Sequence, residues 1–315
     1  MSNRLVFTQG VAILRNYAGL PFPNKMTEEE AEMSLSWLRQ ALSLDVVSKQ
    51  SENFILKELP FELFGAGQSK IMHIYRLSEN TQILVNAENG LSVVTTNDNF
   101  NDALEQARKV ESKLFQEHEA AFLSGTGYLT ARYGDSGSGI RIFTLLHLPV
   151  LSALRKEHNL SELAKRNFQS SLVKAKILGA GQEGNLYFLS TIDTPEKDGV
   201  ARLQLAASAL TEKEKAAANN IFSNQQSSLY DAVWRSLGLL THARRLYQEE
   251  TIRAWSNIRM GVENRILSFS VNQVDSLLST YCMSNEQTDS ISDSRSKKIR
   301  TLLKEYENAS NGTFD

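Results

Sequence analysis

The chain has 315 residues, of which 41% are hydrophobic and 22% charged, and its formal net charge at pH 7 is −2. This size and composition allow one large or two ordinary domains with a sizeable core, so global disorder is excluded. Balanced charge gives no overall reason to expect a nucleic acid or an acidic membrane surface as partner. The single cysteine, Cys282, rules out an intrachain disulfide and fits a reducing, cytoplasmic compartment. The best apolar run, residues 140–154, is interrupted by Arg141, His147 and Pro149, so we expect no membrane span.

Helical and strand patterns alternate through the first two thirds of the chain. Residues 27–44 begin with a threonine followed by acids and then show helical apolar spacing, which predicts a capped amphipathic helix, and 101–122 predict a second. Short apolar runs joined by polar turns predict an antiparallel meander at 70–77, 81–86 and 91–96. Two more strands are predicted at 170–178 and 185–192. We therefore expect an α+β domain with a largely antiparallel sheet flanked by helices.

The pattern changes from Pro195 onward. Residues 211–228 are polar, alanine-rich and free of glycine, which is typical of a solvated helix that leads into a linker. Helical apolar spacing then predicts three further helical segments, at 227–261, 270–281 and 294–306. The expected organisation is an α+β domain at 1–212 and an all-α domain at 213–315.

A cluster of glycines and small polar residues precedes Arg141. Glycines allow a backbone to approach a ligand closely, and arginine can bind phosphate or carboxylate, so residues 127–141 are either an anion-binding loop or a flexible turn. The glycine spacing at 179–184 matches dinucleotide-binding loops, but a strand follows it where that motif needs a helix. Histidines and Cys282 lack metal-ligand spacing, so no metal site is expected. His147, inside an apolar run, is expected to be a hydrogen-bonded core residue.

Four segments, taken in order, resemble blocks of the ATP:guanido phosphotransferases. They are ILRNYAGLPFP at 13–23, GYLT…GSGIR…LLHLP at 127–149, GAGQEGNLYFLS at 179–190 and LYDAVWRSLGLLTHAR at 229–244. The last segment is similar to the C-terminal domain of bacterial protein-arginine kinases of the McsB type. The resemblance implies a phosphagen-kinase-like catalytic domain with an antiparallel sheet flanked by helices, followed by an all-α domain. It also implies transfer of the γ-phosphoryl group of MgATP to a guanidinium nitrogen.

Most of the arginines that the family uses around the phosphates have no counterpart here. Counted back from Arg15, the SxRxR pair of the family falls on Gly10 and Ala12. The NEEDHxR block falls on NAENGLS at 86–92, which places Gly90 at its histidine and Ser92 at its arginine. The arginine before the last glycine loop falls on Ala175. Because this chemistry depends on positioning and charge neutralisation, these losses predict impaired phosphotransfer.

A few basic residues remain as vestigial nucleotide-binding candidates. In the CPxNxGTGxR block, Gly137, Gly139 and Arg141 match the family, and Arg132 stands at the position of the active-site cysteine. Lys174 and Lys176 flank Ala175 and are imperfect substitutes for the arginine of that position. The resemblance therefore carries over no confidently intact catalytic residue.

The carboxylates that hold the guanidinium in the family are better preserved. The second glutamate of NEED falls on Glu88, and the glutamate of the later specificity loop falls on Glu183 if the missing residues lie just after it. If both face one pocket, they can accept the forked hydrogen bonds of an arginine side chain. The alternative is that each is an ordinary surface-loop glutamate, since glutamates are mostly exposed.

The resemblance leaves the function open between two classes. The arginine inventory favours a degenerate protein-arginine kinase, a pseudokinase without a cofactor that binds or regulates a protein partner or an arginine-containing protein segment. The alternative is an active ATP-dependent protein-arginine phosphotransferase that uses MgATP. A purely structural partner of an active kinase would need neither site. In each case we expect a cytoplasmic protein that binds neither nucleic acid nor membrane, and its oligomeric state stays open.

Overall fold

The structure is a computed structural model that describes residues 5–43, 71–87, 89–175, 184–191, 196–223, 227–281 and 289–311. Within these ranges, seven strands form one antiparallel sheet in the order β2-β3-β4-β1-β7-β9-β8, and β5 and β6 form a separate hairpin. The strands are β1 (Val6–Arg15), β2 (His73–Ser78), β3 (Thr81–Ala87), β4 (Gly90–Thr96), β5 (Phe122–Leu123), β6 (Gly127–Tyr128), β7 (Ile140–His147), β8 (Ser170–Lys174) and β9 (Leu186–Thr191). The predicted α+β class and the meander β2-β3-β4 are confirmed.

Helices flank the sheet and make up the C-terminal part of the chain. They are α1 (Glu28–Leu42), α2 (Phe100–Leu114), α3 (Pro149–Ala153), α4 (Glu157–Phe168), α5 (Glu196–Phe222), α6 (Ser228–His242), α7 (Gln248–Glu263), α8 (Val271–Tyr281) and α9 (Asp289–Asn311). The expected cap of α1 is present, because the Thr27 side chain accepts from the Glu30 amide and Glu30 accepts from the Thr27 amide. None of the helices in the described ranges is long and apolar enough to cross a membrane.

Alternate residues of the central strand β1 point to opposite faces of the sheet. Val11 and Ile13 pack with apolar residues of α1, α2, α4 and α5, and we call this side the back face. Ala12 and Leu14 belong to a second cluster, which continues into α7, α8 and α9, and we call this side the front face. The sheet is therefore covered on both sides, which explains why the strands β3 and β4 are buried along their whole length.

Helix α5 extends through the predicted domain boundary. Residues 212 and 213 lie inside this continuous 27-residue helix. Leu203 and Leu210 pack on the back face, and Glu214 and Ala218 are buried as well. The solvated helix expected from residue 211 onward is thus buried along one side. The division into units at 1–212 and 213–315 stays a prediction.

Candidate active site at the start of strand β7

The sheet register brings three positions at which the resemblance implies arginines next to Arg141. Ala12 pairs with Arg141 across β1 and β7, and Gly10 pairs with Phe143. Leu14, two residues beyond Ala12, pairs with Ser92 of β4. Directly paired residues, and residues two apart on one strand, share a face of the sheet. Gly10, Ala12, Ser92 and Arg141 therefore lie together on the front face, where the resemblance predicts the nucleotide phosphates.

Apolar packing now fills this part of the front face. A Cβ atom at Gly10 would lie 2.2 Å from the Thr95 carbonyl oxygen and 3.0 Å from Cζ of Phe143. Phe143 is fully buried and stacks on Phe188 with ring centroids 5.2 Å apart. Because the Thr95 contact is with backbone, no rotamer change can relieve it. An arginine at position 10 has no room in this packing.

The histidine position of the family is closed by a neighbouring side chain. Gly90 has a φ of 113°, and a Cβ atom there would lie 2.0 Å from Oδ1 of Asn16. Asn16 is fixed in place, because its Nδ2 donates to the carbonyl oxygens of Asn89 at 3.1 Å and of Leu129 at 2.9 Å. The position of the histidine thus has a structural use here, as the space that accepts Asn16.

The glycine-rich loop before β7 has a defined backbone. Gly137 and Gly139 have φ values of 113° and 61°, a region that favours glycine. Tyr128 and Gly137 exchange two backbone hydrogen bonds, of 2.8 and 3.0 Å. Arg15 lies with its guanidinium carbon 3.5 Å from the centroid of the Tyr128 ring, and its Nη1 donates to the Ser138 carbonyl at 3.0 Å. The turn is therefore anchored at several points.

Arg141 is engaged within the chain. Its Nη2 donates to the Gly134 carbonyl at 2.8 Å and forms an ion pair with the Asp135 carboxylate, and its Nη1 donates to the Thr191 carbonyl. The second carboxylate oxygen of Asp135 accepts a hydrogen bond of 2.6 Å from Nδ2 of Asn89. The Arg141 and Asp135 side chains are 15% and 14% exposed. Sequence reasoning missed Asp135, although counting the CPxNxGTGxR block places it at the asparagine of the block.

Lys174, another of the basic candidates, lies away from Arg141. Lys174 pairs with Tyr187, and Tyr187 pairs in turn with Leu146 of β7. Lys174 therefore lies level with Leu146, which is five positions beyond Arg141, or about 16 Å along the strand. Tyr187 belongs to the back face, and Nζ of Lys174 donates to Oγ of Ser152 at 3.3 Å. Arg132 is exposed at the beginning of the loop. The structure therefore separates Lys174 from Arg141 by both distance and face.

Three predicted site residues cannot be placed. Glu88, Glu183 and Lys176 lie outside the described residues. The pairing of Glu88 with Glu183 around one guanidinium therefore stays a prediction. Ala175, at the last of the family's arginine positions, is buried with the front-face cluster.

A second polar cluster, which sequence reasoning only touched, lies at the other end of β7. His147 is fully buried, and its Nδ1 and Nε2 lie 3.1 Å from Oε1 of Glu263 and 2.9 Å from Oγ of Ser256. Arg259, 1% exposed, pairs with Glu263 and donates from Nε to Asp275 at 2.8 Å. Burial lowers the pKa of His147 despite the nearby Glu263 carboxylate. The expected hydrogen-bonded core histidine is present, and we call this group the His147 cluster.

Comparisons with known proteins agree with this fold. The model of the ATP:guanido phosphotransferase C-terminal catalytic domain matches residues 24–217, and that of the protein-arginine kinase McsB C-terminal domain matches 226–312. The chain is 25% identical over 329 residues to the protein-arginine kinase of Clostridium novyi (98% of this chain, 94% of the relative). It is 28% identical over 285 residues to that of Symbiobacterium thermophilum (82% and 79%).

Two solved structures share the fold at low sequence identity. Lombricine kinase superposes with a TM-score of 0.50 at 16% identity, covering 73% of this chain and 70% of that one. The duplicated taurocyamine kinase from Schistosoma mansoni gives a TM-score of 0.51 at 16% identity, and the match covers 78% of this chain but only 38% of the duplicated protein. Together with the two matching family models, these findings confirm that the chain belongs to the ATP:guanido phosphotransferase family, with a C-terminal region of the protein-arginine kinase McsB type.

Proposed function

We propose that this chain is a protein-arginine kinase homologue with lost or much reduced phosphotransfer, a pseudokinase that acts as a binding or regulatory protein. The observation that carries the proposal is the packing and charge pairing around Arg141 on the front face. Gly10, Ala12 and Ser92, where the resemblance implies arginines, are buried in the packed sheet. Arg141, the remaining arginine of that group, is neutralised by Asp135.

The energetic consequence is large on the scale of nucleotide binding. A hydrogen bond to a charged group contributes roughly 1.5 to 3 kcal/mol, so four missing arginines remove on the order of 6 to 12 kcal/mol before non-additivity. A micromolar complex has a total binding free energy of only about 8 kcal/mol. In addition, Arg141 must give up its ion pair with Asp135 before it can bind a phosphate. Tight MgATP binding is therefore not expected.

The alternative is an active ATP-dependent protein-arginine phosphotransferase with MgATP held by substitute cations. Arg132 is the candidate that favours it, because it is exposed beside the anion loop. Lys174 speaks against it, since its ammonium group contacts Ser152 on the back face. In this alternative, Lys176 would have to supply the phosphate contact that Lys174 does not make.

The partner we propose is a protein, and more narrowly an arginine-containing protein segment. Curated relatives that match most of this chain are protein-arginine kinases, and binding of the substrate side chain could outlast loss of phosphotransfer. Glu88 and Glu183 are the proposed carboxylates, which requires their carboxyl groups to lie on the order of 5 to 7 Å apart. The lone cysteine supports a cytoplasmic location.

Calorimetric titration of the purified chain with MgATP, together with an assay for phosphoarginine formation, tests the proposal. The protein-arginine kinase of Clostridium novyi serves as positive control. We expect weak or no MgATP binding and no phosphoarginine. Micromolar binding that Arg141→Ala abolishes, accompanied by phosphoarginine, would establish the active-enzyme alternative instead.

The retained-substrate part of the proposal has its own test. Titration of an arginine-containing peptide into the native chain is compared with titration into the double variant Glu88→Gln/Glu183→Gln. We expect the double variant to bind the peptide more weakly, because neutral amides replace the two carboxylates. Equal affinity would remove the arginine site and leave a scaffold function.

A further inference from the structure

The loop before β7 carries its own negative charge next to its arginine. We propose that Asp135 is an internal anion that occupies Arg141 and closes the loop to oxyanion ligands. The inference deepens the proposed loss of nucleotide binding and rests on it. It assigns a role to a residue that the family resemblance alone does not explain.

The contacts of Asp135 are those that a bound oxyanion would make. One carboxylate oxygen pairs with Nη2 of Arg141, and the other accepts from Nδ2 of Asn89 at 2.6 Å. The two donors come from separate parts of the chain, since Arg141 lies six positions from Asp135 and Asn89 lies 46 positions from it. Charge-assisted bonds of this kind are the strong class of hydrogen bond in proteins. The carboxylate is therefore held between Asn89, just before β4, and Arg141 near the start of β7.

Neutral groups hold Arg141 in the same place independently of Asp135. The carbonyl oxygens of Gly134 and Thr191 accept from its guanidinium, but carbonyl groups orient the cation without cancelling its charge. Removal of the Asp135 charge would leave a positioned and uncompensated guanidinium. A small oxyanion is the class of ligand that such a group binds.

The loop does not need the carboxylate to keep its shape. Its backbone is joined to β6 by the hydrogen bonds between Tyr128 and Gly137. Ser136 accepts from the Thr130 amide at 3.2 Å, and the Thr130 hydroxyl donates to the Arg132 carbonyl at 2.7 Å. These contacts involve none of the charged groups, so we expect a neutral side chain at position 135 to leave the loop folded.

The family block itself indicates which change opens the site. It has asparagine at the position of Asp135, so Asp135→Asn exchanges a carboxylate for an amide of the same shape. The amide retains an oxygen that can accept from Arg141 or Asn89, and it removes the negative charge. The substitution therefore tests the charge alone.

Calorimetric titration with inorganic phosphate at low ionic strength, on the full chain, tests the internal anion. We expect Asp135→Asn to bind phosphate about 10- to 100-fold more tightly than the native chain, the change that one charge-assisted contact provides. The double variant Asp135→Asn/Arg141→Gln should lose the gain. Asp231→Asn is the matched control, because it removes a carboxylate from the exposed ion pair with Arg235 and should leave phosphate binding at the native level.

Two outcomes would overturn the inference: equal phosphate affinity for Asp135→Asn and the native chain, or a gain that persists without Arg141. If Asp135→Asn does not fold, Asp135→Ser removes the same charge and the same comparison applies. Phosphoarginine formation by the native chain would overturn the proposed function whatever phosphate does. An absent phosphate gain with no native activity would overturn only the internal anion.

Discussion

The two ends of strand β7 carry charge in different ways. At its start, Arg141 is partly exposed and pairs with Asp135, only six residues away in the same loop. At its end, His147 is fully buried and reaches Glu263, 116 residues away in helix α7. The first contact neutralises an arginine that we propose as a ligand-binding residue, whereas the second joins the sheet to the C-terminal helices. Of these two charged contacts, the buried one is thus the one that holds distant parts of the chain together.

Breaking the His147 cluster should give the largest effect. Arg259→Met leaves Glu263 and Asp275 without their buried cation, and loss of one partner of a buried ion pair typically destabilises by about 3 to 5 kcal/mol. Urea unfolding measures the change. Arg235→Met, which removes the exposed pair with Asp231, is the control and should cost less than about 1 kcal/mol. A cost for Arg259→Met no larger than the control would remove the contrast between the two ends.

The pH dependence of stability that Glu214 causes should be almost as large. Burial raises the pKa of Glu214 to about 7, although the amides of Val150 and Leu151 donate to its carboxylate. The folded pKa lies above the ordinary value of 4.5, so the folded state binds the proton more tightly. Stability from this group is present below about pH 4.5 and is lost as pH rises through 7, by about 3 kcal/mol in total.

The variant Glu214→Gln isolates this contribution. Burial lowers the pKa of His147, so this residue acts in the opposite direction. Its contribution to stability increases with pH and is complete above the pKa that the histidine has in the unfolded chain. We therefore compare unfolding free energies of the native chain and Glu214→Gln from pH 5 to 8. The native chain should lose more stability than the variant over this range. Parallel pH curves would show that Glu214 ionises in the folded protein without cost.

Overpacking of the front face at position 10 should lower the stability by a smaller but clear amount. Gly10→Ala places a Cβ against the Thr95 carbonyl and the Phe143 ring, and overpacking of this kind costs about 1 to 3 kcal/mol. Gly134→Ala, in the loop before β7, meets nothing within 4 Å and should change stability by less than about 0.5 kcal/mol. Thermal unfolding compares the two. If Gly10→Ala lowers the stability no more than Gly134→Ala does, position 10 has room for a side chain.

The last prediction involves no change in stability and concerns the domain boundary. Limited proteolysis should cut first between residues 195 and 228, where the sequence changes character, because exposed polar segments open easily. The buried side of α5, which includes Leu203 and Leu210, should restrict the cuts to the ends of that helix. Preferred cutting within residues 140–154 would contradict the assignment.

Sequence reasoning succeeded where the signal was local. The Thr27 cap and the meander follow from neighbouring residues, and the family blocks lie in one order along the chain. It failed on α5, because the buried side of that helix contains Ala206, Glu214 and Ala218, which give a weak hydrophobic stripe.

The state of the site depended on contacts that no local pattern reveals. Asn89 meets Asp135 across 46 residues, and Phe143 fills the space beside Gly10 from another strand. A sequence can report that an arginine is missing, but it cannot report whether its place is empty or occupied.

The interlock of Gly90 with Asn16 bears on how this protein can evolve. A histidine restored at position 90 collides with Asn16, whose Oδ1 would lie 2.0 Å from the new Cβ. Shortening Asn16 first removes the donor that serves the carbonyl oxygens of Asn89 and Leu129. Each order of substitution thus passes through a destabilised intermediate. Backbone also obstructs both positions, because a Cβ atom at position 90 would lie 2.6 Å from the Arg15 carbonyl oxygen and one at position 10 would lie 2.2 Å from that of Thr95. Single substitutions that restore the family residues at positions 10 and 90 are therefore each expected to destabilise this fold, so a return to the family pattern one residue at a time is obstructed.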